Sequence, residues 1–299
     1  MIFYIFLLIV TVLILLSKCK PEPLHGVYEQ PGYLAPLKHV LIYLVIRLNK
    51  RRVSHKAVGH EKAWLGLAAE DDVSIMESPR PLLDHPLACD AVWFGGGSRD
   101  GTYLVMSGAR RHNNILQSMV FVYIPGVGLL RHILHPETGM RQTGEDREGW
   151  SGGGVSLVPE IPMKKWKLRF EGRMKNLKTK TEHNVKIRAE YLSSLPHFDF
   201  DSEMNPWTVA RAMAREPWSR EYFSRLKAAH QNHYEQFGDV RGVVQVDDDE
   251  HSLDVQVMKD HTHGSIRDWT LLHRYCFHQF NTVRWDVTAL ASKVWFLYI

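Results

Sequence analysis

LDVQVMKDHTHGSIRDWTLLHRYCFHQF, residues 253–280, is the stretch from which the rest of the chain is read. Val255 and Val257 alternate with polar neighbours as a half-buried strand does, and Gly264-Ser265 supply a turn. In an extended chain His261 and His263 share one face, while Asp260 and Thr262 share the other. Past the turn, Trp269, Leu271, His273, Tyr275 and Phe277 form one face of a second strand. Arg274, Cys276 and His278 form its other face. The stretch is therefore expected to be a strand pair that delivers His261, His263 and His273 towards one interior. Three chemical readings stay open. Histidine beside carboxylate suits acid/base work or contact with an apolar ligand. Three histidines suit zinc or iron, with Asp268 as an outer partner. A buried polar network, with Arg267 and Asp268 tying strands to helices, needs no ligand at all. The candidate catalytic residues are Asp260, His263 and His273. The candidate ligand-binding residues are His261, Arg267, Asp268, Trp269 and His233. No metal or cofactor is assigned.

Outward from this stretch the texture is mainly β. Short runs rich in Val, Ile, Phe and Tyr occupy Ala91–Phe94, Thr102–Met106, Ser118–Ile124, Lys167–Gly172 and Val185–Tyr191. Glycine clusters at 95–101, 125–128 and 151–154 separate them as turns. None of these clusters leads into Lys-Ser/Thr, so a phosphate loop is not indicated. Lys165, Lys167 and Arg169 alternate with Trp166, Leu168 and Phe170, as in a strand with one wet face. Residues 205–238 interrupt the strands with helix: Asn205-Pro206 is a cap followed by proline, and Glu216-Pro217 opens a second helix. In that second helix Trp218, Tyr222, Leu226, Ala229, His233 and Phe237 form one stripe, stopped by Gly238 and expected to lie against the β core. Arg241–Val246 and Leu253–Lys259 then form a hairpin about the acidic turn 247–250. That turn lacks the spaced ligands and glycine of a calcium loop.

The N-terminal end differs in charge. Residues 1–60 hold eight Lys/Arg and two Glu and so carry +6 of a whole-chain +4, which leaves −2 for residues 61–299. A nucleic-acid partner is not indicated for such a body. Ile2–Leu16 is an apolar run followed by Lys18 and Lys20. It reads as a transmembrane signal anchor over residues 1–19 with the body in the cytoplasm, hence a single-pass membrane protein. Residues 20–90 read as a basic amphipathic helix and a Pro-rich linker. The helix either lies on an anionic membrane surface or packs on the body. Cys19, Cys89 and Cys276 are too few and too scattered for a disulfide framework.

KDHTHGSIRDW, followed by HRY and preceded by FGDVRG, resembles the D-H-x-x-G-x-R-D-W signature of carotenoid-hydratase-like, lipocalin-related β proteins. Asp260, His261, Gly264, Arg267, Asp268 and Trp269 match that signature. The chain departs from it at His263, where the related proteins often carry an aromatic residue. SEMNPWTVARAMAREPWSREYFSRLKAAHQNHYEQFG, with DAVWFGGGSRDGTYLV and ARRHNNI, resembles the N-terminal region of animal proteins related to phosphoenolpyruvate synthase and rifampicin phosphotransferase. The ATP-grasp and phosphohistidine domains of those proteins have no counterpart here, so their phosphotransfer chemistry is not carried over. The resemblance implies lipocalin-like β layers or barrels with an accessory or ligand-binding role.

The fold expected is thus mainly β with an inserted helical segment, a lipocalin-like barrel or two-layer architecture over residues 91–281, preceded by a transmembrane helix. Residues 282–299 form an atypical apolar tail without the strands such a fold would use for closure. They read as the end of a truncated product whose last barrel is incomplete. The function expected is a membrane-anchored β module that binds an apolar or amphipathic ligand, or an accessory to a phosphotransferase partner. The alternative is a hydratase or isomerase using Asp260, His263 or His273 on a terpenoid-like substrate.

Overall fold

The computed structural model describes residues 11–12, 21–26, 30–53, 73–142, 149–264, 266–268, 272–279 and 292–297, with backbone alone at 51–53, 272–278 and 292–297. The chain divides into two compact units. One gathers residues 1–70, 200–228 and 297–299, and the other 71–199 and 229–296.

The second unit is a barrel. Its strands are β1 (Cys89–Gly97), β2 (Tyr103–Arg111), β3 (Ile115–Ile124), β4 (Gly128–His132), β5 (Met140–Arg141), β6 (Trp150–Gly152), β7 (Val155–Ile161), β8 (Lys165–Asn176), β9 (Glu182–Leu192), β10 (His197–Asp199), β11 (Gln231–Val246) and β12 (Asp249–Gly264). Antiparallel pairing runs β11-β12-β1-β2-β3-β4-β8-β9 and returns from β9 to β11, so eight strands close on themselves. Closure leaves no free edge within the ring. An eight-stranded barrel is just wide enough to be filled by side chains. Here Phe94, Trp150, Trp166, Phe170 and Tyr191 fill it, all buried. Phe94 meets Trp166 and Tyr191 edge-on at 5.4 Å between ring centroids. Each such side chain contributes about 1.5–3 kcal/mol on burial. The alternation expected for β8 holds: Trp166, Leu168 and Phe170 are buried, and Lys165, Lys167 and Arg169 point away from the core.

Closure depends on a close approach between β9 and β11. A Cβ on Gly242 would stand 2.6 Å from Ala189 Cα and run into the Arg188 carbonyl. Backbone cannot yield as a side chain can. Gly242→Ala is expected to cost about 1–3 kcal/mol, the usual penalty of overpacking. Urea unfolding followed by tryptophan fluorescence would measure it, and an unchanged midpoint would remove Gly242 from the closure argument.

The first unit is helical. Asn205 caps the helix Pro206–Arg215 by accepting from the Trp207 N–H at 2.9 Å, with Pro206 at the first position. Ala210 and Met213 of this helix pack with Ile42 and Ile46 of the helix Ala35–Val53, and Trp218, Phe223 and Leu226 join them. The basic helix thus buries Ile42 and Ile46 against helix Pro206–Arg215, while its Leu41, Leu44 and Leu48 stay exposed.

Several expectations are corrected. The helix Arg220–Ala228 ends before His233, and Gln231–Val246 is one long strand. Gly238 is no helix stop. It lies within β11, where a Cβ would stand 2.7 Å from the Tyr191 ring. The four-residue recurrence that runs through His233 and Phe237 was met by chance, because alternation also puts His233, Glu235 and Phe237 on one face of a strand. β12 does not pair with the strand that follows it: its neighbours are β1 and β11. The later strand, β13 (Leu272–His278), pairs instead with β14 (Ser292–Leu297) in a separate two-stranded sheet. Barrel closure thus uses no residue of the tail, and the ring is complete without it. The expectation of a single-pass membrane protein is overturned as well. Among the described residues no helix is long and apolar enough to cross a membrane, and Arg47 and Lys50 break the apolar run of Ala35–Val53. Ile2–Leu16 lies, but for Thr11 and Val12, outside the described residues.

Candidate functional site

Alternation sends Leu253, Val255 and Val257 of β12 into the core, and the same parity carries Lys259 and His261 inward. Lys259 is 0% exposed and Glu77 1%. The Glu77 carboxylate accepts hydrogen bonds from Lys259 Nζ, the Tyr234 hydroxyl and Trp166 Nε1. The ammonium also lies 5.2–5.5 Å from the ring centroids of Tyr234, Tyr191 and Trp166, within reach of the negative ring faces. Burial pulls the Lys259 pKa down, and the adjoining Glu77 carboxylate pulls part of that back. Burial, reinforced by the Glu77 charge, holds the Tyr234 phenol well above its ordinary value.

Glu77 arrives from the segment following the short helix Val73–Met76, which was expected to be linker. Instead this segment closes one end of the barrel. His261 Nδ1 donates to the Met76 carbonyl at 2.7 Å, and His261 Nε2 lies 2.6 Å from Asp90 Oδ1. Asp90 Oδ2 accepts from the Arg80 N–H at 3.0 Å and from Arg110 at 2.6 Å. Arg110 in turn donates to the Arg80 carbonyl at 2.9 Å. His263 Nε2 donates to the Pro81 carbonyl at 3.1 Å. Burial is the largest influence on Asp90 and pushes its carboxyl up. The His261 hydrogen bond and charge, the Arg80 amide and Arg110 together outweigh it and hold the group below its ordinary value.

A second group stands on the outer face of the same strands. Register places Glu235 of β11 opposite Asp260 of β12, and His233 opposite Thr262. One ligand atom from each of His233, Glu235 and Asp260 can be chosen so that all lie within 4.8 Å of one another. Asp260 also borders a groove of about 490 Å³ across the outer faces of β12, β1, β2 and β3. Ala91, Trp93, Met119 and Met258 give its apolar walls, and Arg111, Gln117 and Arg267 its polar end.

A family described as one of unknown function (DUF8627) matches residues 3–294 of the chain. The chain belongs to that family. No curated protein is similar to this DUF8627 chain. Among solved structures it is similar to a crystal structure of a protein assigned as AttH from Nitrosomonas europaea, at 10% identity and a TM-score of 0.41. That match covers 68% of this chain and 62% of the other, so the chain spans about three fifths of its length.

The DUF8627 barrel separates residues that the sequence seemed to gather. Asp260 faces outward with His233, whereas His261 faces the interior. His263 follows on the parity of His261 and sits at the rim, where burial, its largest influence, lowers its pKa. Arg267 borders the groove and donates its backbone N–H to the Leu87 carbonyl at 2.9 Å. Asp268 is among the described residues but borders no part of the groove. Trp269 lies outside the described residues, as does the side chain of His273. Because β13 belongs to another sheet, the three-histidine interior is not formed by paired strands. Sequence reasoning passed over Glu77, Asp90, Arg110, Trp166, Tyr234 and Lys259. One signal was present: Lys259 falls on the apolar parity of Val255 and Val257, where a charge demands a buried partner.

Proposed function

We propose that the chain is a non-catalytic β-barrel module that binds an amphipathic molecule, apolar with an anionic end, in the groove on its outer face. The observation that carries this reading is the groove itself, whose volume falls in the range of small-molecule sites. Its walls are apolar and aromatic, and Arg111 and Arg267 stand at its polar end. Binding in the interior finds no such support, since aromatic side chains and the Glu77–Lys259 pair occupy it. The resemblance of residues 202–238 to phosphoenolpyruvate-synthase-like proteins supports the same module acting as an accessory to a phosphotransferase partner. A hydratase or isomerase reading is less well supported, because Asp260 and His263 lie on opposite faces of one strand.

Dodecanoate titration against the purified chain, followed by the fluorescence of Trp93 against a Trp93→Phe control, tests the proposal. Saturable binding is expected, weakened at least about tenfold by Ala109→Trp, which fills the groove wall. Absence of saturable binding, or affinity unchanged in Ala109→Trp, would sink it.

A further inference from the structure

Two carboxylates set directly opposite each other on neighbouring strands repel, and burial sharpens the repulsion. Glu235 and Asp260 are such a pair. The Glu235 side chain is 8% exposed and that of His233 is 11%. The hydrogen bonds around His233 say how its ring is held. Its Nδ1 lies 2.7 Å from the Thr262 hydroxyl oxygen, and that hydroxyl donates to Asp260 Oδ1 at 3.5 Å. The 2.7 Å contact is the stronger of the two, so Thr262 fixes the ring by Nδ1 in either tautomer. Nε2 is thereby turned towards Glu235 Oε1, 3.2 Å away. Either a proton on Nε2 or a metal ion bound to it can bridge that distance. A neutral ring donating from Nε2 offsets none of the carboxylate charge, and an imidazolium offsets one unit. A divalent cation neutralises both carboxylates.

We propose that His233 Nε2, Glu235 and Asp260 form a binding site for a divalent transition-metal ion, with Zn²⁺ as its best-suited occupant. One imidazole and two carboxylates are an N/O set that Zn²⁺ accepts in tetrahedral array. Ligand atoms about 2.0–2.1 Å from such an ion stand about 3.3 Å apart, close to the 3.2 Å between Nε2 and Glu235 Oε1. Thr262 holds the imidazole by its other nitrogen, as outer partners of metal-bound histidines do. The three ligands come from two adjacent strands of a closed barrel, so the site is held by the sheet rather than by a loop. Asp260 borders the groove, and a three-ligand ion there has a coordination position to offer a small anion or water. This site stands independently of whether the groove takes an apolar ligand.

The test is calorimetric titration of the chelator-treated full chain with Zn²⁺, and separately with Mn²⁺, with elemental analysis after dialysis. One equivalent of Zn²⁺ is expected. Glu235→Gln and Asp260→Asn, which keep side-chain shape, should each weaken binding at least about a hundredfold, and Thr262→Val about tenfold. Circular dichroism and the urea midpoint of each variant confirm that the barrel still folds. Less than a tenth of an equivalent in the folded wild-type chain overturns the proposal and leaves His233 as a hydrogen-bond partner of Glu235 alone. Binding of equal strength in wild type, Glu235→Gln and Asp260→Asn also overturns it, placing the metal on other histidines.

Discussion

Glu77→Gln is expected to destabilise the barrel by about 3–5 kcal/mol, the cost of leaving one partner of a buried ion pair uncompensated. Tyr234 and Lys259 share Oε1 of Glu77 while Trp166 donates to Oε2, so the single glutamine oxygen keeps one side, its NH2 meets a donor on the other, and the largest loss falls on the charge of Lys259. An upper limit follows from the lysine itself. Folding with the amine neutral costs at most about 5 kcal/mol at pH 7, since 3.5 pKa units separate pH 7 from its ordinary value of 10.5. Adding Lys259→Met to Glu77→Gln removes the orphaned charge. The double variant should recover to within about 2 kcal/mol of wild type, because well-packed apolar replacements of buried pairs are often neutral. Urea unfolding of the two single variants and the double gives the coupling directly. Additive losses would mean that the two side chains do not act as a pair.

Asp90→Ala should cost a similar amount, about 3–5 kcal/mol, for a different reason. The carboxylate is the shared acceptor of the Arg80 amide, Arg110 and His261, and removing it takes one bond from each and leaves the largely buried positive charge of Arg110 without its counter-charge. The segment carrying Glu77 is tied down through the same group, so the loss should reach the barrel end as a whole. Asp90 also predicts an acid response. Its folded pKa lies below the ordinary 3.8. A depressed carboxylate pKa contributes stability that is complete above the unfolded value and lost as pH falls through the folded one. The wild-type urea midpoint should therefore decline below pH 3.8 more steeply than that of Asp90→Asn. The gap between the two should narrow as the acid proceeds. Parallel curves would show that Asp90 does not carry the dependence.

Much of the barrel could be read from local pattern. Trp166, Leu168 and Phe170 alternate with charge on β8, and the structure buries the first set only. The hairpin expected about the acidic turn 247–250 is found, with the turn tightened to Asp247-Asp248 and Asp249 and Glu250 already paired in β12. Asn205-Pro206 begins a helix as its cap chemistry requires. The pattern failed at residues 231–237. There His233 and Phe237 satisfy both a helical and an extended repeat, and only the pairing of β11 with β12 and β9 decides between them. It failed again at 265–280, where proximity in sequence suggested a strand pair that the sheet does not contain.

By itself, then, the sequence determined where most strands and the capped helix run and which face of most strands is apolar, because those depend on backbone geometry and on residues a few positions apart. The tertiary structure alone decided the ring closure and both polar groups. Glu77 lies 182 residues from Lys259, 157 from Tyr234 and 89 from Trp166. Asp260 and Glu235 meet only because β11 and β12 pair in that one register. A shift of one residue would turn Lys259 and His261 outward and Asp260 inward, since side chains alternate across a strand. What selects the register is the filling of the barrel by Phe94, Trp150, Trp166 and Tyr191, a property of the closed ring that no single stretch contains.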